Sequence, residues 1–191
     1  MLGGNPTTTL GDHRMIYLDN SATTRTFDAA ADAARNYMLQ NFFNPSSAYA
    51  PAVETERAVE AARARLAGAM GAQAQEIVFT SGGTEGNNMA VSGTLRARRG
   101  TGRLIVGAVE HASAYEVVKA YAKQGYEVVE APVRADGTAD LEALAALITP
   151  DTLFVSIMHV NNEVGAINDL AAINRIVKAA APEAVFHADG V

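Results

Sequence analysis

The sequence predicts an α/β domain built on a mostly parallel sheet with flanking helices. Three observations carry that expectation. Short apolar, β-branched runs alternate with longer amphipathic segments along the 191 residues, the pattern of parallel strands joined by helical crossovers. Hydrophobic residues make up 49% of the chain, enough for a sizeable core. Dense polar clusters directly follow the apolar runs, and open α/β sheets bind their ligands at the carboxyl ends of their strands.

The elements follow in order. Residues 1–14, MLGGNPTTTLGDHR, read as a flexible arm, because they lack the charged region and apolar stretch of a secretory signal. Helical spacing covers residues 29–40 and 53–69, the second dense in Ala, Glu and Arg. Strands are then expected over 76–80, 103–108, 126–131, 152–159 and 184–189. Helices are expected between them over 84–99, 113–124, 141–148 and 170–181, and strand–helix–strand connections of this kind are right-handed.

Composition removes several function classes. Net charge is −6 and Lys and Arg are scattered, which argues against nucleic acid or an anionic membrane as a partner. No apolar run approaches the roughly 20 residues that span a bilayer. The chain has no cysteine, which fits a cytoplasmic protein and excludes any thiol nucleophile or thiolate metal site of its own.

Five polar segments carry the candidate chemistry. Ser81-Gly82-Gly83-Thr84 precedes a helix: its glycines let backbone N–H groups approach an anion, and Thr84 can cap the helix and donate its hydroxyl. The same turn also suits an ordinary strand-to-helix connection; it is neither a Walker loop nor a G-x-G-x-x-G fingerprint. His111, in Val109-Glu110-His111, is placed to stack on a planar ring or move protons, or to serve structure alone. His159-Val160-Asn161-Asn162-Glu163 packs His, two Asn and Glu after an apolar strand, either as turn chemistry or as a site. Asp189 emerges from an apolar strand, so burial there calls for a cationic partner, unless it caps a following helix. The stretches Tyr17-Leu18-Asp19-Asn20-Ser21-Ala22-Thr23-Thr24 and Asn44-Pro45-Ser46-Ser47 read as polar loops.

In this order, the segments IYLDNSATT, NPSS, EIVFTSGGTEGNN, EHASA, VSIMHVNNEVGAIND and FHADG resemble the pyridoxal-phosphate enzymes of aminotransferase class V, specifically the cysteine desulfurases. The resemblance runs from about Met15 to Asp189 and matches the N-terminal half of such enzymes. It implies the large domain of the pyridoxal-phosphate transferase fold type I, incomplete without its second half. Residues 15–191 would form the N-terminal portion of that domain, with 15–70 adding helices and loops at its edge. By the same resemblance, Gly83 and Thr84 bind the cofactor phosphate. His111 stacks on the ring and acts catalytically in proton transfer, Asn162 bonds the phenolic oxygen, and Asp189 pairs with the pyridinium nitrogen. Asn20, Ala22 and Thr23 line the substrate side. Two departures stand out: Ala48-Tyr49 follows NPSS where His is frequent, and Gly190-Val191 stand where the family continues Ala-x-Gln.

The family's Schiff-base lysine, mobile-loop cysteine and substrate-carboxylate arginine belong to its second half. The chain's own lysines, Lys119, Lys123 and Lys178, all fall in amphipathic helical segments and read as solvated. The resemblance therefore implies a split cysteine desulfurase. A complementary C-terminal-half chain would supply the lysine and cysteine, with L-cysteine as substrate, a sulfur-acceptor protein downstream in iron–sulfur cluster or tRNA thiolation pathways, and a dimer of such units. In the family's fold, strands of the second half insert between the strand before Ser81 and the strand over 153–158. Half of another class V enzyme, an aminotransferase or selenocysteine lyase, and a non-catalytic truncated paralogue remain as alternatives.

Overall fold

The computed structural model describes residues 9–10, 13–14 and 16–191. The arm expected over 1–14 thus lies largely outside the described residues. The chain divides into two compact units, Met1–Phe79 and Thr80–Val191.

In the first unit, β1 (Thr9–Leu10) pairs antiparallel with β2 (His13–Arg14). Two helices follow, α1 (Asp28–Leu39) and α2 (Ala50–Met70). A proline in the first turn starts α2, where its missing N–H costs nothing, and Gly71 at φ 67° ends it in the left-handed conformation that glycine tolerates. A 3₁₀ turn, Ala74–Glu76, is closed by a reciprocal capping box between Gln73 and Glu76.

The strand expected over 76–80 does not form. Residue 76 belongs to the 3₁₀ turn and 77–80 join no ladder, although Ile77 has extended dihedrals (φ −93°, ψ 124°). A strand needs a neighbour, and none of the described strands pairs with this segment. Arg63 of α2 holds it instead, donating to the Ile77 carbonyl and lying 4.8 Å over the Phe79 ring.

The second unit is a four-stranded parallel sheet in the order β4-β3-β5-β6. Its elements alternate: α3 (Gly83–Arg96), β3 (Arg103–Gly107), α4 (Ala112–Ala120), β4 (Glu127–Ala131), α5 (Leu141–Leu147), β5 (Thr152–Ser156), α6 (Leu170–Ala180) and β6 (Val185–His187). Successive strand residues face opposite sides, so β3 feeds two cores. Leu104 and Val106 pack with Phe154, Val91, Leu95 and Val118. Ile105 packs with Val155, Leu144, Ile173 and Val177. Aspartates cap two helices: Asp140 accepts from the N–H groups of Glu142 and Ala143, and Asp169 from that of Ala172.

Every expected helix is present within a few residues of its predicted bounds, and the strands are shorter than predicted. The expected 152–159 strand ends at Ser156, because β6 closes its ladder there at His187. Backbone pairing nevertheless continues, with Ile157 N–H donating to His187 O (3.1 Å) and His159 N–H to Asp189 O (2.8 Å). Both edges of β5 are taken, by β3 and β6, so strands of a second half would add beyond β6 rather than directly beside β5. The edge open to addition on that side of the sheet is β6.

Candidate functional site

Three of the expected residues leave the sheet at its carboxyl end: His111 after β3, Asn162 after β5 and Asp189 after β6. His111 and Asn162 line one cleft of about 610 Å³, together with Glu110, Tyr115, Glu116 and Glu163. That volume suits a small organic ligand.

The paired asparagines divide their work. Asn161 is buried, and its Oδ1 accepts from Glu163 N–H (3.0 Å) and Val164 N–H (2.9 Å). Its Nδ2 donates to the Val109 carbonyl (3.1 Å), tying the loop after β5 to the loop that carries His111. Asn162 is exposed at the cleft. Turn satisfaction thus falls to Asn161 and leaves the Asn162 amide available. Gly165, at φ 71°, permits the left-handed turn that returns this loop to Ala166, whose carbonyl accepts from Asn161 N–H.

Asp189 is 8% exposed and its carboxylate has no Lys or Arg ion pair among the described residues. Oδ2 accepts from Asn87 Nδ2 (2.8 Å) and Oδ1 from Val191 N–H (3.0 Å). Burying a carboxylate without a cation is costly, and a positive group beside it would offset that cost.

His111 is the N-cap of α4, with Nδ1 accepting from Ser113 N–H (3.2 Å) and 2.7 Å from Ser113 Oγ. Ser113 Oγ in turn accepts from Asn87 Nδ2 (2.9 Å). The structure therefore links Asp189, Asn87, Ser113 and His111 in one polar chain. Neither Asn87 nor Ser113 was among the expected site residues. The sequence did carry a signal for Asn87: it lies four and eight positions before Val91 and Leu95, all three buried on one face of α3. A polar residue at a core position calls for a partner.

Gly83 opens α3 one position after the N-cap Gly82. The first helical bond runs from Gly86 N–H to Gly82 O, so the N–H groups of Gly83, Thr84 and Glu85 have no partner within the helix. Thr84 does not cap the helix as the sequence suggested; it sits at the second helical position with an exposed side chain. A Cβ on Gly83 would meet Val191 Cγ2 at 2.7 Å, so this turn lies against the segment that follows Asp189.

Glu110 was not expected either. Its carboxylate accepts from Met158 N–H and is 3.1 Å from Ser156 Oγ, which lies 2.9 Å from His187 Nδ1. Burial pushes the Glu110 carboxyl up to about 7 against these hydrogen bonds, and the charge on Asp189 adds to the rise. Burial likewise holds the His187 imidazole below its ordinary value, opposed by Asp189.

Asn20, Ala22 and Thr23 lie in the first unit. Asp19 O accepts from the N–H groups of Ala22 (3.2 Å) and Thr23 (3.3 Å), and all three residues are exposed. The lysines are engaged or solvated. Lys119 Nζ is 2.6 Å from Glu130, which raises its basicity, Lys178 Nζ donates to the carbonyls of Pro182 and Ala184, and Lys123 is exposed. None faces the cleft.

Pyridoxal phosphate fits this set. Unpaired N–H donors at the start of α3 suit a phosphate, the buried Asp189 suits a cationic ring nitrogen, and the cleft carries a histidine and a free amide. Comparison with known proteins points the same way. The cysteine desulfurase IscS of Dictyoglomus turgidum is 38% identical over 179 residues, covering 93% of this chain and 45% of that protein. A solved NifS-like protein superposes with a TM-score of 0.88 at 34% identity, over 92% of this chain and 48% of that one. SspA, solved in complex with cysteine, gives 0.82 at 29% identity, over 90% and 49%. The chain thus has the fold of these enzymes and spans about half the length of the curated relatives it matches. Residues 16–191 match the aminotransferase class-V family, whose desulfurase members depend on pyridoxal phosphate, and the chain belongs to that family.

Proposed function

We propose that this chain is the N-terminal half of a cysteine desulfurase, active only with a C-terminal half, read here as a second chain, that brings the cofactor lysine and the reactive cysteine. The observation that carries the proposal is the buried Asp189 carboxylate, without a Lys or Arg ion pair among the described residues, linked through Asn87 and Ser113 to His111, which lines a cleft with Asn162. The named relatives are cysteine desulfurases, and one related structure holds cysteine.

In this reading the N–H groups of Gly83 and Thr84 hold the cofactor phosphate, and the Thr84 hydroxyl adds a donor. Asp189 faces the ring nitrogen and keeps it protonated, His111 packs on the ring face, and Asn162 donates to the ring oxygen. Bound there, pyridoxal phosphate supplies an electron sink for negative charge that develops on the substrate. Asn20, Ala22 and Thr23 line the substrate side. L-cysteine gives up its sulfur to the thiolate of the second half, leaving L-alanine and a persulfide that passes to an acceptor protein. Residues 15–191 form the N-terminal portion of the large domain, the assembled units pair as dimers, and the enzyme works in the cytoplasm.

Two further features support a missing half. Residues 77–80 join no ladder, and Val78 and Phe79 are 58% and 49% exposed. The β6 edge offers unpaired backbone groups. The test is to assay the chain alone and with a C-terminal half for sulfide and alanine, with dithiothreitol present to reduce the persulfide to sulfide and free the thiol. Equal release of both products is expected only from the mixture; full activity of the chain alone would overturn the proposal. If the mixture yields a keto acid or accepts only selenocysteine, the site belongs to an aminotransferase or selenocysteine lyase instead.

A further inference from the structure

Asn87 lies on the face of α3 that also buries Val91 and Leu95, and it is itself 4% exposed. A carboxylate only accepts hydrogen bonds, so the Asn87 amide must turn its nitrogen, not its oxygen, toward Asp189. That nitrogen carries two hydrogens. One goes to Asp189 Oδ2 at 2.8 Å and the other to Ser113 Oγ at 2.9 Å. Ser113 N–H meets His111 Nδ1 at 3.2 Å and turns that atom into an acceptor, so Ser113 Oγ, 2.7 Å from the same nitrogen, directs its own proton there. Nδ1 is therefore an acceptor, and the ring proton of neutral His111 sits on Nε2.

The geometry points to Asn87 and Ser113 as positioning residues that join Asp189 and His111 in one hydrogen-bonded chain and hold His111 as the Nε2–H tautomer. The two Asn87 links have one polarity because an amide nitrogen only donates, and at His111 the polarity is set by Ser113 N–H, which an Nδ1–H tautomer would meet donor to donor. The inference deepens the proposed function and rests on its reading of Asp189 and His111 as cofactor contacts. Its consequence there is specific. Neutral His111 can take up a proton only at Nδ1, where two donors already point, so at the cleft it serves as a ring-stacking group and a donor rather than as a base.

The tautomer is measurable without cofactor or turnover. The chain has four histidines, and ¹⁵N-histidine labelling reads them in the full chain, alone and in complex with an unlabelled C-terminal half. At a pH where histidines are neutral, long-range ¹H–¹⁵N spectra are expected to show His111 with an acceptor-type Nδ1 and a protonated Nε2, assigned by loss of the signals in His111→Gln. Ser113 N–H still meets Nδ1 in both variants, so Asn87→Leu and Ser113→Ala should move the Nδ1 signal from its position in the natural chain without full averaging, whereas Ser113→Thr, which keeps the hydroxyl, should retain it. An averaged or Nδ1–H His111 in the unsubstituted chain overturns the inference, even if a variant fails to fold. An Nδ1 signal unmoved in both folded variants, Asn87→Leu and Ser113→Ala, overturns it too. Failure of cofactor binding with the tautomer intact would instead strike the functional reading.

Discussion

Asn87 and Asp189, 102 positions apart, meet through one hydrogen bond of 2.8 Å in the buried end of the sheet. Among the described residues it is the single side-chain bond from the helix after the glycine turn to the carboxylate at the end of the strand. Removing the donor leaves a buried charge with less compensation, at a cost of about 1–3 kcal/mol. Asn87→Leu is therefore expected to lower unfolding stability by that amount in urea titrations. In the double variant with Asp189→Leu, part of the loss should be recovered, since both polar partners are then gone.

Glu110 gives the molecule a pH dependence opposite to that of most carboxylates. Its folded value is raised from 4.5 to about 7, so the unfolded chain releases this proton first. The contribution of protonated Glu110 is fully present below pH 4.5 and is lost as pH rises through about 7, amounting to about 3 kcal/mol. Glu110→Gln keeps an acceptor for Met158 N–H and cannot ionise. Denaturation at pH 5 and pH 8 should show the variant gaining on the natural chain between them; parallel curves would contradict this.

The two adjacent asparagines should separate cleanly. Asn161→Ala removes the acceptor for Glu163 and Val164 and the donor to Val109, and is expected to cost about 1–3 kcal/mol in stability. Asn162→Ala, at an exposed position, should change stability by less than about 0.5 kcal/mol yet weaken pyridoxal-phosphate affinity in the assembled protein. Spectroscopic cofactor titration beside urea melts makes the comparison.

Lys119 offers the sharpest check on the chain's own amines. Its pairing with Glu130 keeps it protonated and so a poor nucleophile. Lys119→Met is expected to leave cofactor absorbance in the assembled protein unchanged. Loss of that absorbance would place the cofactor lysine in this chain.

Much of this architecture was legible in the residues. Alternating runs announced strands such as 103–107, and the polar segments after them supplied His111, Asn162 and Asp189. What stayed hidden depended on pairing between distant positions. Residues 76–80 have the composition of a strand but no neighbour to pair with, and composition does not report neighbours. The order β4-β3-β5-β6 put β6 beside β5, which no local pattern specifies. Asn87 and Ser113 escaped notice because their partners lie in other segments: only the fold brings α3, the start of α4 and the end of β6 together. Thr84 has the hydroxyl of a cap at a helix start, yet the helix begins one residue earlier, at Gly83.

The central claim is that Asp189 provides the anion for a cofactor ring whose anchoring lysine comes from the C-terminal half. Pyridoxal-phosphate titration of the mixed halves, followed by visible absorbance, tests it most directly, with Asp189→Asn as the matched variant. Saturable binding by the mixture, little by this chain alone, and affinity reduced at least tenfold in Asp189→Asn, about 1.4 kcal/mol, is the predicted result. Equal binding by the natural and Asp189→Asn mixtures, or the same lysine-linked absorbance from this chain alone, would contradict it.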